Sequence, residues 1–189
     1  MKKTIFTFML VMATLAMAAQ EHLSFKGIPI EGSMTEFCEE LSKKGLLYVG
    51  KENNVAYFQG DFTGKNATIG VAATDDGENV FAVGVMFDAS DKWKTLVNTY
   101  DYYKELYTRK YGKPTITKER NPSYSETNTS LMAEVHNGRA VWFSSWEVTG
   151  GIIELSIEKA SGVYIGTVVI KYRDSQNTEA KIQQDLEEI

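Results

Sequence analysis

Apolar residues fall at Met34, Phe37, Cys38 and Leu41, three and four apart, which is the spacing of one helix face. Ser33 with Glu36 three residues on makes a capping box ahead of that stripe, and Gly45 stands where a left-handed C-terminal cap belongs. A first helix is predicted between them. The period then shortens to two. Leu46 to Val49, Val55 to Phe62, Ala67 to Ala73 and Val80 to Phe87 read as strands. Their joints are Asn53-Asn54, Thr63-Gly64-Lys65-Asn66 and Asp75 to Asn79, whose Gly and Asn residues tolerate positive φ. Joints this short specify an antiparallel meander.

The helical period returns near Ser90 or Asp91 and runs to Tyr111, with Trp93, Leu96, Val97, Tyr100, Tyr103 and Tyr107 along one side and Tyr102 off it. Gly112 and Pro114 close this second helix. Lys118 to Thr129, polar and holding Pro122, reads as a linker. A brief helical turn from Leu131 to Val135, ended by Asn137-Gly138, leads to strands at Ala140 to Val148, Ile152 to Lys159 and Val163 to Arg173. A last amphipathic helix carries Ile182, Leu186 and Ile189 on one face.

Sliding the chain by 86 residues lays Thr63-Gly64 on Thr149-Gly150, Ile69 and Val71 on Leu155 and Ile157, and Asp88 on Asp174. The expected class is therefore α+β: an antiparallel sheet with helices packed on one face, built as a tandem duplication of a helix-plus-meander unit. The expected boundaries are a leader over 1–18, a first unit over 19–117, the linker over 118–129 and a second unit over 130–189.

Alternation assigns the faces of the second unit. Ile153, Leu155 and Ile157 point to the core with Tyr164, Val168, Ile170 and Tyr172 as neighbours, while Glu154, Ser156 and Glu158 point to water. In the first unit the positions matching water-facing Thr167 and Lys171 are Phe81 and Val85, with Val83 between and Phe87 beyond. Gly70 and Ala72 on the adjoining strand leave a shallow hollow on the same side. A contiguous apolar patch marks a contact site, so Phe81, Val83, Val85 and Phe87 are candidate binding residues, covered either by the other unit or by a partner. Trp142 and Trp146, four apart on a strand, share one face and are the second candidate, as stacking residues for a sugar ring or a peptide or as core filling against Ala56 and Gly60.

Composition narrows the function. Lys2 and Lys3, an apolar run from Ile5 to Ala16 and Ala16-Met17-Ala18 have the form of a secretory signal peptide, so export to the periplasm or medium is expected. No later stretch reaches the ~20 apolar residues of a bilayer span, and the mature chain is expected not to insert in a membrane. Without Lys2 and Lys3, 18 bases face 25 acids, a net charge of −7 that disfavours nucleic acid and anionic lipid. Cys38 is the one cysteine, so an internal disulfide is excluded.

Catalytic patterns are absent: there is no Gly-x-Ser-x-Gly, Walker loop, His-Glu-x-x-His or cysteine pair. His22 and His136 are the only histidines, the first near a frayed N-terminus and the second at a helix end. No metal, cofactor or catalytic residue is expected. Asp75, Asp76 and Glu78 read as turn formers, although an acid pair distant in sequence stays open as a glycosidase-like alternative.

Phe25 to Gly32 before a capped helix, Lys110-Tyr111-Gly112-Lys113-Pro114 at a helix end and Val169 to Asp174 at a strand end resemble uncharacterised exported proteins of gut Gram-negative bacteria. The layout of two helix-plus-sheet units is also similar to the β-lactamase inhibitor protein and the PepSY-like group, which implies a fold and transfers no site residue. The expected function is non-enzymatic binding of a protein or peptide through a sheet face. The alternatives are a carboxylate-dependent hydrolase of envelope or dietary polymers and a structural envelope protein.

Overall fold

A computed structural model describes residues 21–120, 128–187 and 189, so the predicted signal peptide and 121–127 of the predicted linker lie outside the described residues. After a short hairpin of β1 (Ser24–Phe25) and β2 (Ile28–Pro29), the capping box starts α1 (Met34–Lys43): Ser33 Oγ accepts the Glu36 N–H and the Glu36 carboxylate accepts the Ser33 N–H, both at 3.3 Å. The meander follows as β3 (Leu47–Glu52), β4 (Val55–Phe62), β5 (Lys65–Ala73) and β6 (Val80–Phe87), then α2 (Trp93–Tyr111). The rest of the chain is β7 (Ile116–Arg120), α3 (Asn128–His136), β8 (Val141–Val148), β9 (Gly151–Lys159), β10 (Gly166–Asp174) and α4 (Ser175–Glu187).

The fold is α+β, as the periodicity predicts. The two meanders do not form separate sheets. β6 and β10 pair antiparallel, Val85 opposite Ile170 and Val83 opposite Tyr172, which joins eight strands in the order β3-β4-β5-β6-β10-β9-β8-β7. β4 and β5 start at Val55 and Lys65, and β8 and β9 start 86 residues later at Val141 and Gly151.

One face of this sheet is the core. Phe58, Ile69, Val85, Ile170 and Leu155 occupy successive strands in register across it, and all are buried. Met34, Phe37 and Leu41 of α1, Leu96, Tyr100, Tyr103 and Tyr107 of α2 and Met132 of α3 complete the apolar cluster. Each such side chain contributes about 1.5–3 kcal/mol through burial, enough in sum to hold a chain with no disulfide.

Several segments differ from expectation, among them Asn128 and Thr129 of the expected linker, which begin α3. Lys118 to Arg120, assigned above to the linker, extend β7, because ladder bonds to β8 place Lys118 opposite Phe143 and Glu119 opposite Trp142. Polar residues suit an edge strand, and composition alone does not separate that from a loop. Tyr164, expected in the core, sits in a turn at φ 57° and is exposed, since β10 begins only at Gly166. The apolar face of α4 also lies outside the core: Ile182, Leu186 and Ile189 are exposed and Asn177 is the helix's buried residue.

The joint between β10 and α4 fastens the N-terminal segment. Asp174 caps α4 by accepting the Asn177 N–H at 2.9 Å, and its other oxygen accepts the Leu23 N–H at 2.9 Å and lies 3.0 Å from His22 Nδ1. The Asn177 side-chain amide donates to the Ile30 and Val80 carbonyls, both at 3.0 Å. The segment crosses so near the β8–β9 turn that a Cβ on Gly150 would lie 2.3 Å from the Glu21 carbonyl oxygen, so glycine is required there. His22, expected near a frayed end, thus lies between Asp174 and Glu31, whose carboxylate is 3.4 Å from Nε2, in a segment fixed by the backbone bonds of Leu23.

Candidate functional site

The predicted apolar patch on β6 is interior. Val83 and Val85 have no exposed surface and Phe87 is buried, all on the face that α2 covers. The cause is a bulge: Ala72 opposes Ala82 but Ala73 opposes Val80, so β6 carries one extra residue at Phe81. One inserted residue reverses the alternation beyond it, which turns Val83, Val85 and Phe87 inward. Phe81 itself is half-buried. The hollow survives on the opposite, water-facing side, where Gly70 and Gly84 are cross-strand neighbours beside Ala72 and Ala82. Toward the far edge that face carries Lys171 with Glu158 and Arg173 with Glu154, each pair at 2.8 Å.

Trp142 and Trp146 share a face, and it is the core face. Trp146 is buried and its indole N–H donates to the Gly112 carbonyl at 3.0 Å, while half-buried Trp142 meets Trp93 edge-on at 4.4 Å. Gly60 has no side chain because Leu46 comes close: a Cβ there would lie 2.6 Å from Leu46 Cδ2. The tyrosines of α2 divide as their spacing predicts, with Tyr100, Tyr103 and Tyr107 buried and Tyr102 exposed. Tyr100 Oη pairs with Ser144 Oγ at 2.7 Å, Tyr103 Oη donates to the Phe62 carbonyl at 3.0 Å, and the Tyr107 and Tyr172 hydroxyls bond each other.

Burial raises the pKa of all four hydroxyls above the ordinary 10.0, Tyr103 to about 12. The unfolded chain releases these protons near pH 10 and the native state keeps them, so the native state binds more protons and stability falls as pH rises above about 10. In an alkaline titration the tyrosinate absorbance of these residues is expected to appear together with loss of aromatic circular dichroism, in one cooperative step. Independent ionisation near pH 10 with the dichroism retained would contradict their burial.

Beside the exposed apolar residues at the C-terminus, Ile182, Leu186 and Ile189, a second run of exposed apolar side chains lies at a sheet edge. Leu47, Tyr48 and Val49 of β3 are 66, 51 and 48% exposed, and pairing with β4 is irregular between Tyr48 and Gly50. The outer side of an edge strand presents backbone N–H and C=O groups without ladder partners. The opposite edge, β7, reads Ile-Thr-Lys-Glu-Arg, and charged side chains there oppose strand addition. A groove of about 650 Å³ runs between β3 and α1, lined among others by Cys38, Ser42, Tyr48 and Lys51. Leu46 to Val49 is legible as a strand, but its four consecutive apolar residues break alternation, and that break was the available signal of an unpaired edge.

Other reactive groups are engaged in structure. Burial raises the pKa of the half-buried Cys38 thiol, with Lys51 opposing weakly, so the thiol is not ionised at neutral pH. Asp76 accepts from Thr74 Oγ1 at 2.6 Å and from the Glu78 N–H at 3.0 Å, which lowers its pKa and makes it a turn residue. Around α1, Glu36 serves the cap and Glu40 pairs with Lys43 at 2.6 Å. Among the described residues no group of three His, Cys, Asp or Glu is placed to hold a metal ion, and no helix is long and apolar enough to cross a membrane. No family model matches the chain, nor does any curated protein or solved structure.

Proposed function

We propose that the protein is an exported, non-enzymatic binding protein that accepts an extended segment of another polypeptide as an added strand on β3. The observation that carries this reading is the contrast between edges: β3 exposes Leu47, Tyr48 and Val49 consecutively ahead of Lys51 and Glu52, while β7 exposes one apolar residue, Ile116, followed by Thr117, Lys118 and Glu119. Strand addition uses backbone groups for affinity and side-chain pockets for selectivity. The free outer side of β3 supplies the first, and the groove between β3 and α1 lies where alternate partner side chains on the helix-covered face would enter. This replaces the sheet-face mode, whose residues on β6 and β8 are spent on the core. Export rests on the N-terminal pattern of Lys2, Lys3 and the apolar run, and the non-enzymatic reading rests on the missing catalytic patterns and on Glu36, Glu40, Asp76 and Cys38 serving a cap, an ion pair, a turn and packing.

The test compares wild type with a Leu47→Lys/Val49→Lys double variant in affinity capture from periplasm and medium. Both positions are exposed, so the variant should keep the wild-type circular dichroism and melting point. Two apolar side chains at ~1.5–3 kcal/mol each correspond to a loss of roughly a hundredfold or more in affinity for a stoichiometric partner. Amides of Leu47 to Gly50 should gain exchange protection in the wild-type complex. Equal capture by the variant, absence of a stoichiometric partner, or unprotected β3 amides would each remove the proposal.

A further inference from the structure

At the Phe62 end of β4, a cleft of about 400 Å³ opens between the β1–β2 hairpin, the C-terminal half of α2 and the end of β10. Its size falls within the ~300–1,000 Å³ range of small-molecule sites. The segments Phe25 to Gly32, Lys110 to Pro114 and Val169 to Asp174, distant in sequence, each contribute to its lining: Lys26 from the first, Lys110 and Tyr111 from the second and Tyr172 from the third.

The lining has two components. Aromatic rings make the walls: Tyr107 stacks on Tyr111 at 5.9 Å and 14° and meets Tyr172 at 63°, with Tyr103 alongside. The polar groups are donors. Lys26 Nζ gives one hydrogen bond to the Asp61 carbonyl at 3.1 Å, and Lys110 Nζ sits 4.8 Å from the centre of the Tyr111 ring. Neither ammonium is in an ion pair among the described residues, although each has three protons to donate. Between the Tyr107 and Tyr172 hydroxyls one proton bridges, and the second has no protein acceptor among the described residues. Among the described residues no aspartate or glutamate lines the cleft, in a chain whose acids outnumber bases 25 to 20.

From this geometry we infer a second binding site, for a small organic anion: a carboxylate or sulfonate carried on a flat aromatic body. The half-buried ring of Tyr111, backed by the buried ring of Tyr107, and half-buried Leu106 present the apolar surface against which the flat body lies. Lys26 and Lys110 take the anionic group as charge-assisted donors, and partial exclusion of water beside the rings strengthens that attraction. A neutral aromatic lacks the group the lysines recognise, and a simple inorganic anion lacks the body the rings recognise.

Anilinonaphthalene sulfonate, a fluorescent aromatic sulfonate, is the probe. Titration into the folded, full-length protein is expected to give saturable fluorescence with a single site, weakening as salt is added. Lys26→Gln/Lys110→Gln should raise Kd at least about tenfold, the equivalent of ~1.4 kcal/mol, with an unchanged melting point. The uncharged analogue phenylnaphthylamine should bind wild type at least about tenfold more weakly than the sulfonate. The Leu47→Lys/Val49→Lys variant should bind the probe as wild type does, which separates this site from the β3 edge. Non-saturable fluorescence, an affinity indifferent to the two lysines, or equal binding of the uncharged analogue would overturn the inference without bearing on strand addition.

Discussion

Val83→Glu is expected to abolish folding, while Gly84→Ala, one residue along the same strand, leaves the protein folded and slightly more stable. Val83 stands at the centre of the sheet on the helix-covered face with no exposed surface, opposite Tyr172 on β10 and Val71 on β5. A carboxylate there has no cationic partner in the apolar cluster around it, and the effective penalty for an unpaired buried charge is several kcal/mol. Protonation would relieve part of that by leaving a neutral but still buried polar group. Domains of this size have about 5–15 kcal/mol of net stability, so one such insertion consumes most of it. Gly84 faces the other way, and a Cβ built on it has nothing within 4 Å. A methyl group there removes freedom from the unfolded chain, a gain of about 0.4–1 kcal/mol. Far-ultraviolet dichroism and urea titration of the two variants read the result. A folded Val83→Glu protein beside an unfolded Gly84→Ala protein would show that the bulge at Phe81 does not reverse the strand.

Asp174→Ala is expected to lower stability by about 3–5 kcal/mol, the largest loss from removing one polar side chain. Hydrogen bonds to a charged acceptor contribute about 1.5–3 kcal/mol each, and two backbone donors, Leu23 and Asn177, end on this carboxylate in a buried setting. Loss of the helix cap alone accounts for about 1 kcal/mol of that. The Leu23 N–H is then left buried without an acceptor, which costs more than the net value of the bond. Asp174→Asn keeps an acceptor for one of the two donors and turns an N–H₂ toward the other, so it should recover part of the loss. Urea unfolding gives the size of the effect. Hydrogen exchange gives its location, with the amides from Leu23 to Ile30 expected to exchange faster while those of β9 keep their protection. A uniform change across all amides would place the effect outside this joint.

Local chemistry made much of the fold readable. Ser33 and Glu36 announce α1, and β4 and β6 have the ends their flanking turns predict. The spacing of Tyr100, Tyr103 and Tyr107 foretells which tyrosines are buried. Trp142 and Trp146 share a face for the same reason of period. The side of the sheet on which the candidate patch lies turns on a single residue. The 86-residue match carries the alternation of β10 onto β6, and Phe81 breaks it, because a bulge leaves no mark that composition or spacing can register. β7 was missed for a related reason, since an edge strand and a loop draw on the same polar residues.

By itself the order of residues determined the class, the start of α1 and most strand limits, all of which depend on neighbours within a few positions: caps, turn residues and the two hydrophobic periods. Which strands meet was decided only in three dimensions. The junction of β6 with β10 merges two meanders into one sheet, leaves β3 and β7 as its edges, and brings Lys26, Lys110 and Tyr172 to one cleft. Those outcomes follow from burying one apolar face across eight strands at once, a condition on the whole chain that no local window contains.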